Sequence, residues 1–162
     1  MKSDRLFSRD FTLMVIGQII SLLGNAVLRF ALPLQVLDAT GSAAAFGGVL
    51  ALSMVPVLLC SPLGGVLADR VPRQRIMWGL DFSTAALAAG YGLLFAGGHS
   101  VAAVGGMMVL LSAIQALYQP AVQASIPVLV AEEHLPSANG VVAQVQALSS
   151  LLGPVLGGVL YG

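Results

Sequence analysis

Charged residues are scarce in this sequence, and their scarcity indicates the class of protein. They make up 9% of the 162 residues, against 57% hydrophobic residues, whereas ordinary soluble domains carry roughly 25% and 45–50%. No Asp, Glu, Lys or Arg lies between Asp38 and Asp69, or between Asp81 and Glu132. Since a membrane span needs about 20 apolar residues, one helix fits the first gap and two fit the second. The sequence therefore predicts an all-α integral membrane protein in contact with a lipid bilayer.

Cysteine and histidine are almost absent, which excludes several kinds of site. The single cysteine, Cys60, lies in an apolar stretch, so the chain has neither an intrachain disulfide nor a cysteine cluster for a metal. His99 and His134 lie far apart in predicted loops, where a structural role is expected. We therefore expect no metal, no cofactor and no enzymatic activity. The formal net charge is zero, so nothing indicates a nucleic-acid partner.

The first apolar segment is predicted to be a retained helix rather than a signal peptide. Three basic residues precede it, as they would in a signal peptide. However, the segment stays apolar from Phe11 to about Leu37, well beyond the roughly 7–15 residues of a signal core, and no small-residue cleavage site ends it.

Breaker residues and polar islands divide the chain into five predicted helices. Ser42 can cap the second of them, and prolines inside membrane helices are tolerated because neighbouring helices satisfy the freed carbonyls. The fifth helix is still apolar at Gly162 with no polar anchor after it, so we expect the chain to be truncated. Residues 1–162 are thus predicted to form one amino-terminal transmembrane bundle, with helices at roughly 11–37, 43–68, 76–96, 101–131 and 137–162.

The basic residues predict how the bundle is oriented. Short cytoplasmic segments carry an excess of Lys and Arg. The amino-terminal tail has three such residues, the segment between the second and third helices has another three, and the loops on the other side have none. We therefore predict a multi-pass protein of the cell (plasma) membrane with a cytoplasmic amino terminus.

The strongest local motif runs from Gly64 to Arg75, where a helix rich in small residues meets a short basic loop. Positive charge on the cytoplasmic side explains the arginines but not Asp69. A carboxylate at the carboxyl end of a helix is unfavourable to the helix dipole, so Asp69 is expected to be held by arginine side chains or by the amino end of another helix.

This segment resembles the loop signature of the major facilitator superfamily, Gly-x-x-x-Asp-Arg-x-Gly-Arg-Arg/Lys. Pro72 stands where the family has a glycine, and Gln74 where it has a basic residue. In the family this signature is a conformational latch between two halves of a transporter. The resemblance therefore implies a gating loop that contains Gly65, Asp69, Arg70, Arg73 and Arg75.

Further segments are similar to the branch of that superfamily that contains macrolide-efflux-type and siderophore exporters. They are residues 17–24, 40–42, 120–124 and 138–139. Each segment alone is weak evidence for the branch, but their occurrence together in this order is specific. The fifth helix resembles the Gly-x-x-x-Gly-Pro-x-x-Gly-Gly motif of exchangers and exporters, with Ser149 in place of the first glycine; the alternative is an ordinary small-residue packing face. The motif residues are Gly153, Pro154, Gly157 and Gly158.

The resemblance implies a specific architecture and activity. About five helices of a six-helix amino-terminal bundle are present, and the missing carboxyl-terminal half of the transporter is an expected partner. The implied function is efflux of an amphipathic small molecule or drug by an alternating-access secondary carrier. Two alternatives stay open, namely a small non-transporting membrane protein that assembles through Gly-rich helix faces, and a membrane enzyme, for which no catalytic constellation is present.

Two rows of polar residues indicate a functional face without reference to any family. Residues spaced three or four apart lie on one side of a helix, and a polar row faces protein or water rather than lipid. The rows either hold the bundle together by hydrogen bonds or line a substrate cavity. The putative cavity residues are Gln18, Ser21, Asn25 and Arg29 in the first helix and Ser112, Gln115, Gln119 and Gln123 in the fourth.

Two ionisable residues have a second interpretation. Arg29 lies in the outer third of its span, where its side chain can also extend to the headgroups. Asp81, early in the third helix, can belong to the cytoplasmic latch. On this assignment no carboxylate lies near the middle of the membrane, and proton coupling is not indicated.

Overall fold

The computed structural model describes residues 6–94 and 100–161, except for the side chains of Ala68 and Asp69. Its described residues form an all-α structure, as predicted, with helix bounds that differ by a few residues from those expected. The predicted ends at 96 and 162 lie outside the described residues. The helices are α1 (Arg9–Thr40), α2 (Ala43–Arg70), α3 (Arg73–Leu94), α4 (Val101–Leu129) and α5 (Leu135–Tyr161), with a short 3₁₀ helix at Glu132–His134.

Serine residues begin three of the helices. The Ser8 hydroxyl accepts a hydrogen bond from the Phe11 amide at 3.2 Å, and the predicted cap Ser42 accepts one from Ala45 at 3.2 Å. Ser100 caps α4 in the same way. These hydroxyls satisfy amides that have no partner within the first turn. Gly41 ends α1 with a left-handed φ of 63°, a conformation that glycine adopts without steric cost.

Four helices, α1, α2, α4 and α5, are long and apolar enough to cross a membrane. Their outer surfaces carry large apolar side chains, such as Leu58, which is 76% exposed, and Leu160, also 76% exposed. An apolar surface of this kind is expected to face lipid. Over its described residues α3, which carries Arg73, Arg75 and Asp81, is not among these four, so its span stays a prediction.

The helices pack as two close pairs, α2 with α4 and α1 with α5, and α3 lies against α4. Two apolar clusters form the interior. One surrounds Phe11 and Ile126, and the other surrounds Val36 and Met108. The polar row of α1 overlaps the first cluster in sequence, since Leu22 belongs to that cluster, and it ends before Leu32 of the second.

Candidate functional site

The polar row of α1 faces the interior of the bundle. Gln18 is fully buried and Asn25 is buried, while Ser21 and Arg29 are half-buried. The Asn25 side-chain amide donates to the Ser21 carbonyl oxygen at 3.0 Å, within its own helix. The bundle therefore encloses Gln18 and Asn25 and covers Ser21 and Arg29 in part.

Arg29 connects the two predicted rows. Its guanidinium donates to the buried hydroxyl of Ser112 on α4 at 3.0 Å. This contact turns the arginine toward the bundle, whereas the snorkelling alternative turns it toward the headgroups. A hydrogen bond between helices in a membrane is worth about 0.6 kcal/mol on average, so the contact fixes the position of the charge more than it adds stability.

The α4 row does not behave as one uniform face. Ser112 is buried, Gln115 and Gln119 are half-buried, and Gln123 is exposed. Gln119 accepts a hydrogen bond at 2.8 Å from Gln146 on α5. Gln146 was not among the predicted site residues. An amide side chain within an otherwise apolar helix was the sequence feature that could have indicated it.

Asp81 on α3 also belongs with these polar residues. It accepts a hydrogen bond at 2.5 Å from the Ser21 hydroxyl of α1. It lies eight residues after Arg73, about 12 Å along the axis at 1.5 Å per residue. The latch assignment of Asp81 stays a prediction, and the structure adds a contact with α1 that the sequence did not indicate. A carboxylate does reach the interior of the bundle, where it meets the α1 row.

The predicted gating loop is open to the surface. Gly65, Arg70 and Arg75 are exposed, and Arg73 is half-buried, while the side chain of Asp69 lies outside the described residues. A Cβ atom at Gly65 would meet nothing within 4 Å. The latch therefore stays a prediction.

The glycine next to the motif has a structural role that sequence analysis missed. A Cβ atom on Gly64 would lie 2.9 Å from the carbonyl oxygen of Ala116 and 2.9 Å from Cγ of Pro120. Such distances are shorter than ordinary contacts, so only glycine allows α2 to approach α4 this closely. The doubled glycine at this helix end was the available signal.

The predicted packing motif of α5 lies against α1. A Cβ atom on Gly153 would collide with Ala26, and one on Gly157 would lie 2.9 Å from the ring of Phe30. Gly158 has only an ordinary contact with that ring, at 3.8 Å, and Pro154 is exposed. Two glycines four residues apart thus let the helices meet, as in other small-residue interfaces in membranes.

Metal chemistry has no evident location in the described residues. They contain no group of three or more His, Cys, Asp or Glu side chains placed to hold an ion. Cys60 is a free, half-buried thiol. His134 lies 3.6 Å from the exposed carboxylate of Glu133, and His99 lies outside the described residues.

The helices and their lipid-facing surfaces define a multi-pass α-helical membrane protein. Residues 14–162 match the sequence profile of the Major Facilitator Superfamily, and the chain belongs to this family. It is 33% identical over 148 residues to macrolide efflux protein A of Streptococcus pyogenes, covering 90% of this chain and 36% of the relative. It is 34% identical over 113 residues to the protein of that name from Enterococcus faecalis, covering 68% of this chain and 34% of the relative.

The chain thus spans about a third of the length of the curated relatives it matches. No solved structure matches the chain significantly.

Proposed function

We propose that this chain is the amino-terminal part of a secondary carrier that exports an amphipathic small molecule across the cell membrane. Its relatives are named as macrolide efflux proteins, so a macrolide is the first candidate substrate. Carriers of this type move a central site between the two sides of the membrane by rocking one bundle against another. The proposal therefore requires a carboxyl-terminal half as partner, and it places the amino terminus in the cytoplasm.

The observation that carries the proposal is a set of polar contacts that crosses the apolar bundle. Arg29 and Ser112 join α1 to α4, and Gln119 and Gln146 join α4 to α5. The two contacts lie seven residues apart on α4, or about 10 Å along the axis. Polar groups at this depth are costly and mark substrate or ion pathways.

Exposure distinguishes the outer members of this set from the inner ones. Gln115, Gln119 and Gln146 are half-buried and Gln123 is exposed, so their amides are available to a ligand. Gln18 and Asn25 are buried and do not contact a ligand in this conformation. We therefore propose that the α4 and α5 amides line the substrate path and that the inner α1 residues support it.

The basic loop between α2 and α3 supplies the second element of the proposal. Arg70 and Arg75 are exposed there, as is required of residues that contact another bundle. We propose that these arginines, together with Arg73 and Asp69, form the latch that holds one conformation of the carrier.

The alternative of a small protein that assembles through Gly-rich faces is less favoured. The closest glycine contacts, at Gly64, Gly153 and Gly157, are made within the chain itself. These three positions are consequently occupied by contacts within the chain.

The proposal is tested by drug accumulation in bacterial cells that lack their own efflux pumps. We use the complete carrier, in which residues 1–162 are followed by the carboxyl-terminal half that the proposal requires. Wild-type carrier should lower the cellular content of a radiolabelled macrolide. Replacing Gln119 and Gln146 together by Leu should restore at least half of that content, because the path loses two amides while α4 and α5 keep their packing.

Gln144→Leu is the matched control, since Gln144 is an exposed amide on the same helix. It should export as the wild type does, at equal abundance in the membrane. Full export by the double variant would show that the two amides serve only as an interhelical hydrogen bond. No export of the macrolide or of a lipophilic cationic dye by wild-type carrier would favour the non-transporting alternative.

A further inference from the structure

Pro120 interrupts the backbone hydrogen bonding of α4. Proline has no amide hydrogen, so the carbonyl oxygen four residues earlier loses the partner it would have in a regular helix. In α4 that oxygen belongs to Ala116, which is buried. A freed carbonyl inside a membrane bundle is tolerated because a neighbouring helix can supply a partner. The Ala116 oxygen is therefore an acceptor that must be satisfied from outside its own helix.

The residue of α2 that faces this oxygen is Gly64. A Cβ atom on Gly64 would lie 2.9 Å from the Ala116 oxygen, 2.9 Å from Cγ of Pro120 and 3.3 Å from Cα of Leu117. Among the glycines of the described residues, Gly64 is the one whose nearest neighbours include a backbone oxygen. Glycine carries a hydrogen in place of the Cβ atom, and Cα–H groups donate weakly to carbonyl oxygens where helices meet. The break in α4 and the glycine of α2 thus coincide.

Pro120 also contacts the residue before it, Gln119. The Cδ atom of a proline lies against the backbone N–H and the Cβ atom of the preceding residue, most closely when that residue is helical. Gln119 is helical, and its side chain accepts a hydrogen bond at 2.8 Å from Gln146 on α5. A displacement of the Pro120 ring would therefore displace the Gln119 amide relative to α5.

Gly64 lies close to the end of α2 that leads into the basic loop. The helix continues for six more residues, to Arg70, or about 9 Å along the axis. A closely packed contact transmits a displacement, because packed interiors deform little. A movement of this end of α2 would consequently reach Gln119 through the Pro120 ring.

We propose that Gly64 and Pro120 are positioning residues for Gln119. The contact of α2 with the Pro120 ring and with the freed Ala116 oxygen sets where the Gln119 amide lies in the substrate path. A shift of the α2 end that carries the gating loop moves the ring, and with it the distance between the Gln119 and Gln146 amides. The consequence for export rests on the proposed function.

The alternative is a purely structural role for Gly64. The helices α2 and α4 form a close pair, and an added side chain in a well-packed interior is destabilising whatever lies next to it. The two roles differ in what they predict. Packing alone gives no reason for the effect of Gly64 to depend on Pro120, or for the effect of Pro120 to depend on Gln119.

The first experiment measures hydrogen–deuterium exchange of the 162-residue chain in nanodiscs, by mass spectrometry of its peptides. Gly64→Ala should speed exchange several-fold in the α4 peptide that contains Gln119. Pro120→Ala should slow exchange there, because it gives the Ala116 oxygen its helical partner, and adding Gly64→Ala to it should have a smaller effect. Gly48→Ala is the matched control on α2, since a Cβ atom there would meet nothing within 4 Å, and it should exchange as the wild type does.

Two results would overturn the proposal at this stage. One is an α4 peptide whose exchange is unchanged by Gly64→Ala, or changed equally by Gly48→Ala. The other is an effect of Gly64→Ala that is as large without the Pro120 ring as with it.

The second experiment measures macrolide export by the complete carrier in membrane vesicles. Pro120→Ala should raise the half-saturating macrolide concentration several-fold at an unchanged maximal rate per carrier, because the Gln119 amide is misplaced while the rest of the path is intact. In a Gln119→Leu background, Pro120→Ala should cause no further change. An equal change in both backgrounds would assign Pro120 to packing alone and overturn the proposal. If the wild-type carrier exports no macrolide, the proposed function fails, and the exchange measurement still decides whether Gly64 acts on Gln119 through Pro120.

Discussion

The boundary between α1 and α3 differs from the two close helix pairs of the same bundle. Glycines bring α2 against α4 and α5 against α1, with no room for a Cβ atom at Gly64 or Gly153. Across the α1–α3 boundary the hydrogen bonds are polar side-chain contacts, Ser21 with Asp81 at 2.5 Å and Tyr91 with Gln35 at 3.0 Å. A cleft of about 450 Å³, whose lining includes Gly17, Asp81 and Tyr118, opens beside this boundary.

This difference separates a closely packed part of the molecule from a part held by polar contacts. Close packing of small residues fixes the distance between two helix axes, and a packed core deforms little. Hydrogen bonds between membrane helices are weaker, averaging about 0.6 kcal/mol, and they are compatible with water. The glycine contacts therefore hold α2 against α4 and α5 against α1. The polar side chains lie at the boundary between α1 and α3.

The largest effect is expected from Gly153→Leu in α5. The new side chain would collide with Ala26, including its backbone, where the nearest heavy atoms lie 3.1 and 3.2 Å even from a Cβ atom. Overpacking a well-filled interior costs about 1–3 kcal/mol and sometimes more. We expect loss of most monodisperse protein by size-exclusion chromatography in detergent after mild heating.

Gly140→Leu is the matched control for this change. It lies on the same helix, and a Cβ atom there would meet nothing within 4 Å. The control should elute as the wild type does after the same heating. Equal losses for the two variants would show that α1 and α5 are not held by this contact.

An intermediate effect is expected at the doubled glycine of α2. Gly64→Ala places a Cβ atom 2.9 Å from a backbone oxygen of α4, whereas Gly65→Ala places one in open space. Gly64→Ala should lower the apparent melting temperature by several degrees, and Gly65→Ala should leave it unchanged. If Gly65→Ala were the more destabilising change, the packing position would be Gly65, the glycine of the loop signature, and not Gly64.

Gly64 and Gly65 also illustrate how much of the fold can be predicted from the sequence. Gaps in charge and the positions of breakers gave five helices close to those of the described residues, and four of these are long apolar runs of the length that specifies a membrane helix. The loop motif selected Gly65, yet the contact that matters for packing is made by Gly64. Which of two neighbouring glycines faces another helix depends on how the helices rotate against each other, and composition does not encode that rotation.

The polar rows illustrate the same limit for the candidate site. Helical spacing placed Gln18, Ser21, Asn25 and Arg29 on one face, and the structure buries this face wholly or in part. Spacing did not identify the partners, because periodicity within one helix says nothing about the helix opposite. The partners Asp81 and Gln146 lie 60 and 27 residues away in sequence from Ser21 and Gln119, so only the tertiary fold brings them together.

The smallest effect on stability is expected from Ser21→Ala at the polar boundary. The change removes the hydroxyl that donates to Asp81 without opening a cavity larger than one oxygen atom. The free energy of unfolding in mixed detergent should fall by only about 0.6 kcal/mol, the average for a hydrogen bond between membrane helices. Ser83→Ala is the control on α3, since the Ser83 hydroxyl is exposed and bonds only to the Gly79 carbonyl of its own helix. It should leave the free energy of unfolding unchanged. A large loss of stability in Ser21→Ala would make the α1–α3 boundary a structural contact like the glycine pairs, and the contrast between the two regions would no longer hold.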